Sequence, residues 1–278
     1  MDVLAFLIVP FVASLVYTGI LSYLGVHVVE RGVIFVDIAL AQIAALGAAV
    51  AVLFGLDVHG EGAYAVSLIF TFFGAVIFST LKSRSGKIPQ EAIIGITYAV
   101  ASAGAILTMS KAVGETEHLK DMLVGNILVV SWPEVGRAAV LCALIGAFHY
   151  AFRRRFLLIS VDPKAAAEQG ISVGWWDFLF YLSFGLVVSS AVAIAGVLLV
   201  FCYLIVPSVG AILFADSIGR RLAIGWTMGA VVSGLGVYLS LALDLPTGAT
   251  IVCTFGGVLL LMAGARVFFF RAGNGEPA

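Results

Sequence analysis

Charge is what this chain has least of. Lys, Arg, Asp and Glu make up 11% of its 278 residues, whereas hydrophobic residues make up 62%. A water-soluble domain carries about 25% charged residues, so the composition excludes an ordinary soluble fold and predicts an integral membrane protein. The net charge of −1 gives no indication of a nucleic-acid partner, and we expect none.

Motifs for nucleotides, metals and catalysis are also missing. Cys142, Cys202 and Cys253 lie singly in apolar runs without CxxC spacing, which argues against a disulfide framework or a zinc knuckle. The chain contains no GxxxxGK[ST] phosphate loop and no HExxH motif. We therefore expect a protein that is not an enzyme and holds no cofactor or metal of its own. If the protein is a transporter, it must then use an ion gradient or a separate ATPase.

Apolar runs of membrane-spanning length are abundant. A helix needs about 20 apolar residues to cross a bilayer core of about 30 Å, whereas a barrel would need short alternating segments. The predicted fold class is all-α, a polytopic transmembrane bundle of eight or nine spans in a single domain, 1–278. The count depends on residues 176–215, where Gly196 is expected to break the helix and Pro207 to kink or interrupt it. The runs are 3–25, 34–56, 64–81, 91–110, 134–152, 176–194, 196–214, 222–243 and 248–267.

The basic residues predict the orientation, because Lys and Arg in short loops stay in the cytoplasm. Twelve of the fifteen basic residues fall on one side of the predicted spans. The N-terminus is then outside and, with nine spans, the C-terminus inside. We expect a multi-pass protein of a bacterial inner or plasma membrane. The twelve are Arg31, Lys82, Arg84, Lys87, Arg153, Arg154, Arg155, Lys164, Arg220, Arg221, Arg266 and Arg271.

One cytoplasmic segment, SVDPKAAAEQGISVG, is unusually polar for this chain. Asp162 can cap a helix, Pro163 fits its first turn, and Gly170 is placed to end it. The segment predicts a short helix of about two turns on the cytoplasmic face. It is either an ordinary connector or the surface on which a separate ATPase docks.

Five segments together resemble the permease subunit of metal-importing ABC transporters, the family that handles zinc, manganese and some iron. The resemblance runs nearly end to end, with the segments in the right order and at the right spacing. They are LAQIAALG in the second helix, MLVGNIL at 122–128, DPKAAAEQGI at 162–171, VAIAGVLLVFCYLIVPSVGA at 192–211 and DLPTGATIV at 244–252.

The resemblance implies a mechanism and partners. DPKAAAEQGI would be the coupling helix that sits in a groove of a cytoplasmic ABC ATPase, with Asp162, Pro163, Ala166 and Gly170 matching the family pattern. Two permeases would form a homodimer in the lipid bilayer, and an extracytoplasmic metal-binding protein would deliver divalent ions, zinc or manganese first. Pro207 either kinks a core helix without a direct role, or lies on the pathway or acts as a hinge during alternating access. The alternative is a gradient-driven secondary transporter or channel.

The second helix departs from the family pattern Gly-Asp-x-Leu-x-His-Ala. Alignment of LAQIAALG puts Gln42 at the His and Ile38 at the Asp, and the acid moves one place back to Asp37. In a first account, Asp37 and Gln42 line the translocation pathway, as ionisable groups in membrane helices usually do. In a second, Asp37 is wet and pairs with Arg31 or caps the helix. In a third, Gln42 only joins two helices through a hydrogen bond.

The four histidines are expected to have lesser roles. His59 and His118 lie in exterior loops beside acidic residues, where they either touch an entering cation or serve solvation alone. His27 and His149 are near the cytoplasmic boundary and are expected to be interfacial.

Overall fold

The computed structural model describes residues 3–57, 60–81, 88–110 and 127–274, and the side chains of 7–268 within them. Every regular element in these ranges is a helix. Most of MLVGNIL, together with His59 and His118, lies outside the described residues. A 3-10 turn, Ile127–Val129, precedes α5. The helices are α1 Val3–Arg31, α2 Val36–Leu53, α3 Glu61–Thr80, α4 Gln90–Met109, α5 Trp132–Ala151, α6 Arg153–Val161, α7 Pro163–Glu168, α8 Val173–Ala195, α9 Val197–Ile212, α10 Ile218–Ala242 and α11 Thr247–Asn274.

The number of spans agrees with the prediction from sequence. Seven helices are long and apolar enough to cross a membrane, and the count is eight if α5 and α6, which are bent by 76° at their junction, form one span. The ninth predicted span is α9, a shorter apolar helix of 16 residues. The all-α polytopic bundle of eight or nine spans is therefore confirmed.

The bend between α5 and α6 was not predicted. The sequence suggested that the helix ends near residue 152 and that FRRRF is a loop. In the structure Phe152 leaves helical geometry at φ −106° and ψ 17°, and the chain resumes at once as α6. The three arginines of this segment, Arg153 to Arg155, are exposed on the bend.

The predicted break at Gly196 is present. Gly196 has φ +79°, which glycine adopts without the steric cost that a side chain would bring. It ends α8 and starts α9, so the long apolar stretch becomes two helices. Pro207 lies inside α9 and does not interrupt it.

Small residues allow the central helices to approach closely. α1 packs against α9 and α10, and α2 packs against α3, α4 and α8. A Cβ atom added at Gly47 of α2 would lie 2.8 Å from the Cα of Ser67 in α3. Because lipid tails are as apolar as the side chains, such van der Waals packing is a main force that associates helices in a membrane.

The outer surface of the bundle is apolar. On α4, Ile96 and Leu107 are more than half exposed, and on α11 Leu260 and Phe268 are about three-quarters exposed. Large apolar side chains face outwards in this way where lipid, not water, surrounds the helices. The protein is therefore a multi-pass membrane protein.

Candidate functional site

Asp37 lies in the first turn of α2 and is buried, with 1% of its surface exposed. Its Oδ1 atom has no hydrogen-bond partner. Arg31 does not pair with it, because the Arg31 guanidinium is 2.6 Å from the carboxylate of Asp177 in α8. The part of the second account in which Asp37 is wet and pairs with Arg31 is therefore wrong. Its other part, in which the acid caps the start of α2, stays a prediction, since Asp37 lies in the first turn of that helix. Buried acids of this kind usually face a pathway or the bundle interior, and the pathway role stays a prediction.

The corner between α1 and α2, residues 32–35, is held by the first turn of α4. The Glu91 carboxylate accepts a hydrogen bond from the backbone N–H of Ile34. Its neighbour Gln90 donates from Nε2 to the hydroxyl of Tyr181 in α8, at 2.8 Å. The start of α4 thus positions both the corner that precedes Asp37 and the helix α8.

Gln42 makes the hydrogen bond between helices that the third account expected. Ser102 Oγ in α4 donates to Gln42 Oε1 at 3.2 Å, and Gln42 is half-buried. Five residues separate Gln42 from Asp37, which corresponds to about 140° around the helix. The structure therefore places the two predicted pathway residues on different faces of α2.

The short helix predicted on the cytoplasmic side is α7, with six residues. The Asp162 side chain accepts hydrogen bonds from the backbone N–H groups of Lys164 at 3.1 Å and Ala165 at 2.9 Å. Pro163 is its first residue, and Gly170 follows its end at φ +75°. The capping roles predicted for Asp162, Pro163 and Gly170 are confirmed as local structure.

The two sides of α7 differ in exposure. Ala166 is 0% exposed and belongs to the hydrophobic core of the bundle. Lys164, Ala167 and Glu168 are exposed. Ala166 therefore fixes α7 to the bundle, and the opposite side is the one that a partner protein can contact.

Pro207 lies where α1, α9 and α10 meet. It is buried, and its Cβ lies 3.6 Å from the position that a Cβ at Gly225 of α10 would take. The next residue, Ser208, donates a hydrogen bond to the Leu204 carbonyl at 2.9 Å and contacts the Ser22 carbonyl of α1 at 3.3 Å. The role of Pro207 on the pathway or as a hinge stays a prediction.

A buried polar network under α7 was missed from the sequence. Arg31 Nε donates to Ser160 Oγ at 2.8 Å, and His27 Nδ1 lies 2.8 Å from the same oxygen. Ser160 Oγ also donates to the Phe156 carbonyl at 2.9 Å, so this one hydroxyl connects α6 to both Arg31 and His27. The spacing of His27 and Arg31, four residues apart on one face of α1, was the available signal.

The two histidines expected at the membrane interface are buried instead. His27 is 1% exposed and His149 is 0% exposed. His149 Nε2 lies 2.8 Å from Ser183 Oγ, and its ring stacks on Phe156 with 4.2 Å between ring centres. The interfacial expectation was wrong because the bend after α5 folds α6 over this region.

No metal site is evident in the described part of the chain. Within residues 3–57, 60–81, 88–110 and 127–274, no group of three or more His, Cys, Asp or Glu side chains could hold a metal ion.

A polytopic helical bundle with a capped helix on its surface and buried polar residues in its spans is an architecture that membrane permeases use. Residues 4–265 match the model of the ABC 3 transport family. The chain belongs to this family.

Similar proteins are named as metal transport components. The manganese transport system membrane protein MntC of Halalkalibacterium halodurans is 30% identical over 257 residues, which are 88% of this chain and 83% of that protein. The chelated iron transport system membrane protein YfeC of Yersinia pestis is 26% identical over 262 residues, 94% of this chain and 85% of that protein. The structure of PsaBC from Streptococcus pneumoniae in complex with Fab is similar with a TM-score of 0.76 and 25% identity, covering 92% of this chain and 90% of that chain.

Proposed function

We propose that this chain is the membrane-spanning subunit of an ATP-driven importer of divalent metal ions. The family match over residues 4–265 carries the proposal. The capped helix α7, with its exposed side of Lys164, Ala167 and Glu168, supports it because it offers a surface for a separate ATPase. Such a subunit catalyses no bond chemistry itself.

We propose manganese as the first cargo to test. The polar groups of α2 are the Asp37 carboxylate and the Gln42 amide, and both offer oxygen atoms. Carboxylate and carbonyl oxygens suit manganese, whereas imidazole and thiolate ligands suit zinc. The relatives named for manganese transport support manganese as the first ion to test, and a relative named for chelated iron transport is the reason to include iron in the same assay. Zinc is the second candidate.

The complete transporter would contain three further kinds of component. An extracytoplasmic metal-binding protein would deliver the ion, two cytoplasmic ABC ATPases would bind the α7 helices, and a second copy of this chain would close the twofold assembly. ATP binding would switch the pathway between outward and inward access by a shift of packed helices.

The test is uptake by the reconstituted complex. The permease would be purified with the ATPase and binding protein that accompany it, placed in lipid vesicles, and assayed with Mn²⁺, Zn²⁺ and Fe²⁺ with and without ATP. Copurification of an ATPase and ATP-dependent Mn²⁺ uptake are expected. Uptake that follows an ion gradient and ignores ATP would support the secondary transporter or channel instead.

The pathway role of Asp37 is tested in the same assay. Asp37→Asn removes the one charged side chain of α2 and is expected to lower uptake about tenfold or more, because it changes the charge that an ion meets at membrane depth. Asp216→Asn is the matched control, since Asp216 is exposed. Parent-like uptake of all three metals by Asp37→Asn would show that this acid is structural.

A further inference from the structure

The helices on either side of α7 are joined by one side chain from another part of the chain. Arg31, the last residue of α1, donates from Nε to Ser160 Oγ at 2.8 Å and from Nη1 to Asp177 Oδ1 at 2.6 Å. Ser160 lies in α6, two residues before the cap Asp162, and Asp177 lies in α8, seven residues after Gly170. A single guanidinium thus links the two helices that carry α7.

The link is enclosed by the protein. The side chains of Arg31 and Asp177 are 4% and 1% exposed, and the guanidinium lies 4.0 Å from the centre of the Phe180 ring. Desolvation opposes the attraction in a buried ion pair, so such a pair is weak evidence for stability. The planar guanidinium does fix direction, because its donors form a rigid fork. The contact therefore fixes the position of Arg31 relative to Asp177, and it is not a main source of stability.

The other end of the link is the corner that leads to α2. Gly32 directly follows Arg31 and turns the chain at φ +65°. Two residues later, Ile34 is held by the Glu91 carboxylate of α4. Asp37 comes three residues after that, in the first turn of α2. Residues 32–36 are thus a short connection between Arg31 and Asp37, and α4 contacts it through Glu91.

We propose that Arg31 is the positioning residue that transmits movement of α7 to the first turn of α2. This inference rests on the proposed function, because an ATPase must move α7. When α7 moves, α6 and α8 move with it, and Arg31 carries the end of α1 along. Arg31 acts through the corner and needs no contact with the transported ion.

A second ion pair at the same end of α1 provides a matched control. Glu30, the neighbour of Arg31, pairs with Arg221 at the start of α10. Their side chains are 30% and 14% exposed, and α10 carries no part of α7. Loss of this pair, like loss of the Arg31–Asp177 pair, removes an ion pair from the end of α1. It should nevertheless leave the transmission of movement from α7 to α2 intact.

The experiment measures uptake per ATP hydrolysed. The permease is reconstituted with the ATPase and binding protein that copurify with it, and Mn²⁺ uptake and ATP hydrolysis are followed in the same vesicles. The test variant combines Arg31→Met with Asp177→Leu, because the removal of both charges leaves no unpaired buried charge. Ser160→Ala removes the hydrogen bond of Arg31 to α6 and leaves its ion pair with Asp177 in place. The control combines Glu30→Gln with Arg221→Met.

The double variant is expected to assemble and to hydrolyse ATP, with uptake per ATP lowered about tenfold. Ser160→Ala should lower the ratio about threefold, and the control should change it less than about twofold. A parent-like ratio in the double variant would overturn the inference. If that variant does not assemble, Ser160→Ala decides, since a parent-like ratio there would equally refute it. Absence of ATP-dependent uptake in the parent would instead refute the proposed function, and this inference with it.

Discussion

Gly25 is the position at which a single added carbon should do most harm to the packing of α1 against α9. A Cβ atom at Gly25 would lie 3.0 Å from the carbonyl carbon of Leu204 and closer still to the Leu204 oxygen and Ser208 Oγ. Non-bonded heavy atoms pack at about 3.5 to 4.0 Å. Because the Leu204 oxygen is the nearest atom, the two helices would have to separate by more than about 1 Å. The atoms that block the added Cβ belong largely to the backbone of Leu204, which cannot rotate away as a side chain could.

The expected cost of Gly25→Ala follows from two opposed effects. Overpacking of a well-filled core costs about 1 to 3 kcal/mol, whereas Gly→Ala in a helix returns up to about 1 kcal/mol. Overpacking should dominate here, because the clash involves the Leu204 carbonyl. We expect the free energy of unfolding to fall by about 1 to 2 kcal/mol. Gly19→Ala is the control, because nothing lies within 4 Å of an added Cβ there.

The assay is unfolding of the purified permease in mixed micelles, followed by loss of helix signal as denaturing detergent is added. Gly19→Ala should unfold at the same point as the parent or later, and Gly25→Ala clearly earlier. Equal midpoints for the two variants would refute the packing of α1 on α9 described above. A transport assay adds a second reading: if Pro207 is a hinge, Gly25→Ala should lower uptake more than it lowers the folded fraction.

Three further outcomes are expected. Ala167→Asp, on the exposed side of α7, should abolish ATPase stimulation and leave the fold intact, since Asp costs only about 0.7 kcal/mol in a helix. Ala167→Ser is the control. Full stimulation of ATPase activity in Ala167→Asp would show that α7 is not the docking surface. Glu61→Cys should react with an impermeant thiol reagent from outside and Glu168→Cys only from inside, and the reverse pattern would invert the topology. Gln42→His should keep Mn²⁺ uptake and raise Zn²⁺ uptake, because imidazole binds zinc well; unchanged selectivity would exclude Gln42 from the pathway.

The local elements could be predicted because their causes are local. The cap of α7 needs only Asp162, Pro163 and Gly170 at their spacing, and the break at Gly196 needs only a residue that tolerates φ +79°. The spans follow from length and hydrophobicity, which the bilayer imposes on each helix separately. These features can be read from a window of 10 to about 20 residues.

The contacts around Arg31 could not be predicted because they are between distant segments. Ser160 is 129 residues from Arg31 and Asp177 is 146 residues away, and no sequence spacing relates them. The burial of His27 and His149 depends in the same way on the 76° bend after α5. No Pro or Gly marks the position of this bend in the sequence. Helix geometry alone is enough to show that Asp37 and Gln42 point in different directions. It does not show which residue is the hydrogen-bond partner of Gln42.

The shortness of α9 has a consequence for how the protein is made. Its 16 residues reach about 24 Å, less than the bilayer core of about 30 Å, and its interior proline weakens it further. Its buried side chains rest on α1 and on α10 and α11, so its neighbours hold it in place and the lipid does not. During synthesis α10 and α11 emerge after α9. We therefore expect α9 to reach its final depth only after α11 has been synthesised, which makes truncations within α11 far more damaging to biogenesis than the exposed position of this helix suggests.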